Sequence, residues 1–86
     1  RPETTLPALD AALTLLAPGG VLTVVAYPGH PGGDAEAEAV ERWARSLPSD
    51  RFEALLYRFC NRADRSPYLI AVEKRKRGLS ERSGAS

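Results

Sequence analysis

The stretch Val21-Leu22-Thr23-Val24-Val25-Ala26-Tyr27 decides the fold. It is apolar and β-branched without a polar residue at every second position, the pattern of a strand covered on both faces rather than one that turns a side to water. The reading predicts a central parallel strand over 21–27. Behind it, Pro28-Gly29-His30-Pro31-Gly32-Gly33 holds too many glycines and prolines to be helix or strand, so it is the loop at the strand's carboxyl end. Ahead of it, Pro18-Gly19-Gly20 marks a sharp stop to whatever precedes.

Working outward, Leu6, Leu9, Ala12, Leu13 and Leu16 recur at spacings of three and four after Thr4 and Thr5, either of which can cap a helix. A helix over 5–17 is predicted, with Pro7 tolerated in its first turn. On the other side, Asp34 is read as the cap of a helix over 34–47. Glu36 and Glu38 lie near its start, and Arg42 and Arg45 near its end, as the helix dipole favours. Val40, Trp43, Ala44 and Leu47 form its buried stripe, and Pro48 closes it. Two further runs, 52–60 and 68–74, flank the polar loop Asn61 to Ser66 and read as antiparallel strands that need not be adjacent. Residues 77–86 are too polar to order themselves, which leaves 1–76 as the folded unit and 77–86 as a disordered tail.

The order is helix, strand, helix, strand, strand. Strand 21–27, helix 34–47 and strand 52–60 make a crossover unit, right-handed in nearly all known cases. A helix that opens directly onto a fully buried strand usually follows an earlier strand. The fold class is therefore α/β, in the form of the second half of a doubly wound domain whose first half is missing.

Composition narrows the function classes. With 86 residues the chain has no stability to spare for a large internal cavity. Twelve Lys and Arg against eleven Asp and Glu give a net charge of +1, which excludes a strongly basic nucleic-acid wrapper; any polyanion contact must be local. A single cysteine, Cys60, excludes a disulfide framework, fits a reducing compartment and reads as a small packed side chain. With one His and one Cys there is no metal constellation. The run 21–27 is far short of the roughly 20 residues that span a bilayer, and no signal segment opens the chain, so a cytoplasmic location without membrane contact is expected.

In open α/β sheets ligands bind beyond the carboxyl ends of the strands, which directs attention to the loop after Tyr27. His30, the only histidine, sits there among glycines that allow close backbone approach. It is suited to orient an acceptor, contact a phosphate or carry a proton, and it is equally readable as a plain surface-loop histidine. The glycines form neither the G-x-G-x-x-G fingerprint nor a phosphate loop. Asn61 opens the loop after the next strand with a side chain that both donates and accepts, suited to a base or ribose edge or to an ordinary turn. Arg58, Arg62 and Arg65 lie near the same end and suit RNA phosphates, as scattered arginines also suit solvent. The cluster Lys74-Arg75-Lys76-Arg77 offers a weak, salt-sensitive grip on nucleic acid or mere solubility.

The string Tyr27-Pro28-Gly29-His30-Pro31-Gly32-Gly33, the Ala- and Glu-rich helix ending in Trp43, and Phe59-Cys60-Asn61 together resemble the "Putative rRNA methylase" family of class I, S-adenosylmethionine-dependent methyltransferases. The likeness runs from Pro2-Glu3-Thr4-Thr5, through Leu16-Ala17-Pro18-Gly19-Gly20, to Ala71-Val72-Glu73-Lys74, and covers the carboxyl-terminal half of a family member. The chain departs from the family pattern at Pro28, where a histidine is usual, at Arg62, where a glutamine is usual, and at Ser66-Pro67, where two prolines are usual.

The resemblance implies a Rossmann-like methyltransferase fold in which the last strand runs antiparallel and inserts between the two before it. It implies a methyltransferase acting on tRNA or rRNA, most readily on the aminomethyl group of a wobble uridine of tRNA. It places His30 and Asn61 in catalytic positions on the acceptor side, with Tyr27, Gly29 and Arg62 binding substrate. The S-adenosylmethionine site would lie mostly in the missing half, leaving its residues unassigned and the 86-residue chain inactive alone. A non-catalytic α/β module that binds a partner, the missing half or a second copy through the bare edge of strand 21–27 is the alternative from a different class.

Overall fold

The structure, a computed structural model, describes residues 1–29, 32–62 and 66–76. The expected tail over 77–86 lies outside the described residues. The elements run α1 (Pro2–Leu15), β1 (Val21–Ala26), α2 (Gly33–Arg45), β2 (Phe52–Tyr57) and β3 (Tyr68–Lys74). The three strands form one sheet in the order β1-β3-β2, with β3 antiparallel to both neighbours. β1 and β2 are therefore parallel to one another, and the last strand is inserted between them as anticipated. The register pairs Val24 and Leu56 with the same residue, Ile70, so one cross-section of the sheet is apolar from edge to edge.

Both helices pack on one face of the sheet. Tyr68, Ile70 and Val72 of β3 point into that face, where they meet Leu13 of α1 and Ala37, Val40, Trp43 and Ala44 of α2; Val72 is 0% exposed. Trp43 fills this layer as its helical spacing predicted. Its indole Nε1 donates a 2.7 Å hydrogen bond to Asp10 Oδ1 and so staples α2 to α1. Val40, Trp43 and Ala44 of the expected stripe are buried on α2 and Ala37 and Ala39 join them, while Leu47 lies past the helix end and is partly buried.

The element boundaries correct the sequence reading at several points; two are small, with β1 stopping at Ala26 rather than Tyr27 and α2 running over Gly33–Arg45 rather than 34–47. α1 begins at Pro2 rather than residue 5, with Arg1 as N-cap and no side-chain cap; proline's fixed φ suits the first helical position, so no threonine cap is required. Pro7 consequently falls inside the helix, and α1 stops at Leu15 because Leu16 is extended ahead of Pro18. Gly32, in the left-handed region at φ 78°, is the N-cap of α2, and Asp34 sits in the first turn instead of capping it. β2 ends at Tyr57 rather than residue 60: Tyr57 pairs with Leu69, and one residue beyond Tyr68 the neighbouring segment reaches Pro67, which has no N–H for a ladder hydrogen bond. Cys60, expected to be packed, is accordingly exposed.

β1 also differs from expectation. In this chain it is an edge strand, and one of its faces is open: Val25 is 48% and Val21 55% exposed. The open face continues over Leu55 and Tyr57, both 55% exposed. Two helices that lie on the same side cannot cover both faces of a sheet.

The end of β3 ties α1 to the sheet. Lys74 Nζ donates to the carbonyls of Leu13 at 3.0 Å and Thr14 at 3.4 Å, supplying the positive charge that the last turn of α1 lacks. Gly19, at φ 88°, turns the chain so that its N–H reaches Lys74 O at 2.6 Å. Arg75 donates to Ser49 O at 3.2 Å and faces Glu53 at 3.6 Å. Lys74 and Arg75 are thus engaged within the fold rather than presented as a basic strip, and Arg77 lies outside the described residues.

Candidate functional site

The parallel arrangement of β1 and β2 sends the loops that follow them to the same edge of the sheet, the edge at which α/β folds bind ligands. These loops meet the amino-terminal half of α2 around a cleft of about 310 Å³. Pro28 enters it from the first loop, and Phe59 and Arg62 from the second. Asp34 and Glu38 of α2 line one wall and Arg58 and Arg62 the other, so the cleft is acidic on its helix side and basic on its strand side.

The floor is a network around Glu41. Its carboxylate accepts from Arg45 at 2.7 Å and Arg58 at 3.3 Å, and Tyr68 Oη lies 3.3 Å from both Glu41 Oε1 and the Ala37 carbonyl, to which it donates. The Arg58 guanidinium lies over the Tyr68 ring at 4.3 Å from its centroid. The hydrogen bond from Arg45 holds the Glu41 carboxyl below the ordinary carboxylate range against the opposing pull of burial, and the charges of Arg45 and Arg58 add to it. Burial raises the Tyr68 phenol above its ordinary value, helped by the Glu41 charge. At the rim, Arg62 lies over the Phe59 ring at 4.5 Å.

Tyr27 belongs to a second cleft, of about 630 Å³, between the starts of α1 and α2. Gly32 and Gly33 line it as well, together with Glu36, whose carboxylate accepts from the Thr5 hydroxyl and pairs with the amino-terminal ammonium at 2.9 Å. The Thr5 hydrogen bond is the main reason the Glu36 carboxyl sits below the usual range, with the ammonium second.

The residues singled out from the sequence are therefore divided. Arg62 lines the first cleft and Tyr27 the second; Gly29 and Asn61 are exposed near the same edge without lining either. His30 and Arg65 lie outside the described residues. Sequence reasoning missed Glu41, Tyr68 and Phe59 as site-forming residues. Glu41 stands one turn before Arg45, the spacing of an ordinary surface helix pair, and Tyr68 opens a strand; only the fold brings them together from 27 positions apart. Phe59 carried one usable signal, an aromatic near the end of an expected strand with an arginine three residues on.

Among the described residues no cluster of His, Cys, Asp and Glu could hold a metal ion, and no helix is long and apolar enough to cross a membrane. Nor do they fit S-adenosylmethionine by themselves. The glycines after β1 open α2 without the dinucleotide spacing, and the carboxylate beside them, Glu36, is engaged by the Thr5 hydroxyl.

Comparison with known proteins follows the same line. The family described as "Putative rRNA methylase" matches residues 1–73. A tRNA (mnm(5)s(2)U34)-methyltransferase, chloroplastic, of Arabidopsis thaliana is 40% identical over 74 residues, which is 86% of this chain and 27% of that protein. A crystal structure of a putative rRNA-methylase from Clostridium thermocellum superposes with a TM-score of 0.81 at 39% identity, over 86% of this chain and 40% of that one. A putative methyltransferase from Streptococcus mutans in complex with SAH gives 0.77 at 34% identity, over 86% and 40%. An rRNA methylase from Streptococcus thermophilus gives 0.76 at 33% identity, over 88% and 42%. The chain thus spans about a quarter of the curated relative and two fifths of the solved structures, and its α/β architecture is part of their Rossmann-like methyltransferase fold. With the sequence match and the superpositions in agreement, the chain belongs to the "Putative rRNA methylase" family of methyltransferases.

Proposed function

We propose that residues 1–76 form the acceptor side of an S-adenosylmethionine-dependent RNA methyltransferase whose substrate is the aminomethyl group of a wobble uridine in tRNA. The carrying observation is that the loops after β1 and β2 share one cleft with an acidic and a basic wall. An aminomethyl group is a cation in water and is drawn to Asp34 and Glu38, while a phosphate of the same nucleotide suits Arg62. The name of the Arabidopsis relative supports the substrate, and the SAH complex of the Streptococcus mutans neighbour supports the cofactor, which delivers a methyl group when bound. Cofactor contacts are assigned to protein outside these 86 residues.

On this reading the chain's task is positioning and proton handling. A methyl acceptor must be an unprotonated amine aligned with its donor, so much of the rate comes from holding it in line. His30 takes the proton that the amine sheds, Asn61 holds the uracil edge or ribose, and Tyr27, Gly29 and Arg62 shape the substrate's seat. The test is transfer of a labelled methyl to tRNA by the intact protein and its His30→Ala and Asn61→Ala variants. His30→Ala is expected to slow transfer about 100-fold or more, the lower range for a lost general base. An unchanged rate removes His30 from the mechanism, and a wild-type protein that labels ribosomal RNA but not tRNA overturns the substrate.

A further inference from the structure

We propose that Phe59 and Arg62 form a stacking platform for an unpaired nucleobase of the RNA, an assignment that rests on the RNA-methyltransferase reading and names two residues that hold its single-stranded segment. Phe59 is 54% exposed although it is a large aromatic, because it stands beyond the last paired residue of β2 and outside the core. It borders two depressions at once, the polarised cleft and a groove of about 470 Å³ on the open side near Val25 and Leu69. Its ring carries the Arg62 guanidinium at 4.5 Å, so a base arriving there meets a π face and a planar cation in one place.

The neighbouring pair shows why this one faces outward. Arg58 also rides on an aromatic ring, but that ring belongs to Tyr68, which is buried, and Arg58 is neutralised by Glu41 at 3.3 Å. The Arg58–Tyr68 stack has a buried ring and a cation paired with a carboxylate; the Phe59–Arg62 stack sits at the rim with its ring exposed. A base within a duplex has both faces covered by its neighbours, so only an unpaired base can use such a platform. The guanidinium then stands beside the adjoining phosphate, in a chain whose net charge of +1 makes any such contact a local one.

The experiment measures binding by fluorescence anisotropy of a labelled RNA stem-loop and of a blunt duplex with the same stem, using the intact protein over a range of salt. Wild type is expected to prefer the stem-loop. Phe59→Ala should weaken stem-loop binding by about 5- to 100-fold, the loss of one stacked base, and leave the duplex unaffected, while Phe59→Tyr retains binding. Arg62→Gln, which installs the residue usual in the family pattern, should lower the salt slope for the stem-loop by about 0.7, the value for one single-strand phosphate. The platform is overturned if wild type shows no preference for the stem-loop, or if Phe59→Ala with an unchanged circular dichroism spectrum binds it within about twofold of wild type. Binding is read without catalysis, so the two proposals separate. Loss in Phe59→Ala with no tRNA methylation by wild type sinks only the reaction, and the reverse pattern sinks only the platform.

Discussion

Replacing Asp10 with Ala removes the acceptor for the Trp43 indole, which is 8% exposed and reaches Asp10 Oδ1 at 2.7 Å. A hydrogen bond to a charged partner contributes about 1.5–3 kcal/mol, and the exposed position of Asp10 places this one near the lower end, at about 1.5–2 kcal/mol. Against the roughly 4–13 kcal/mol expected of 86 residues that is a large fraction, and it corresponds to a fall in melting temperature of about 6–16 °C. Asp10→Asn keeps an oxygen acceptor without the charge and should lose about half as much. The assay is urea denaturation followed by far-UV circular dichroism on a double-mutant cycle of Asp10→Ala with Trp43→Phe, which keeps much of the packing and removes the donor. A coupling energy of about 1 kcal/mol or more is expected. If the two single losses add within about 0.4 kcal/mol, the staple between α1 and α2 contributes nothing and the reasoning fails.

Two further outcomes follow from the same structure. Because folding raises the Tyr68 phenol above its ordinary value, this group's stability contribution is complete below about pH 10 and declines as pH climbs toward the folded-state value; a wild-type urea midpoint that drops between pH 9 and 11 no faster than that of Tyr68→Phe contradicts this. Glu41, held low, acts in the opposite direction, contributing above the carboxylate range and losing its effect in acid, by a small amount because its partners Arg45 and Arg58 are exposed and solvent screens the pairing. The uncovered sheet face and the bare edge of β1 should make the 86-residue chain self-associate. Sedimentation should therefore show a concentration-dependent shift that Val25→Lys suppresses, and monodisperse monomer at high concentration for wild type would refute it.

Much of the fold was legible because it is local. The apolar run at 21–26, the three-and-four spacing of Val40, Trp43 and Ala44, and the bounds of β3 at Tyr68 and Lys74 each depend on residues within one element. Of the boundaries that shifted, the start of α1 moved because Pro2 made a threonine cap unnecessary, and the end of β2 moved because its partner gives way to Pro67. Of the site, the sequence could indicate the loop after β1 and the region of Asn61 and Arg62, since glycine-rich and polar connections past a strand end are where such folds bind. It could not indicate that Glu41, Arg58 and Tyr68 form a single network, or that Phe59 stands at the rim.

The sequence by itself determined the order of elements, their apolar faces and the strand ends toward which a site must lie, because short-range sterics and hydrophobic periodicity settle these within a few residues. Tertiary structure alone decided that both helices share one face, that Lys74 closes the end of α1 from the far end of the chain, and that an acidic and a basic wall confront each other across one cleft. Those arrangements depend on the register of β3 between β1 and β2. That register is a pairing across dozens of residues, chosen by the fit of whole apolar faces rather than by any local pattern.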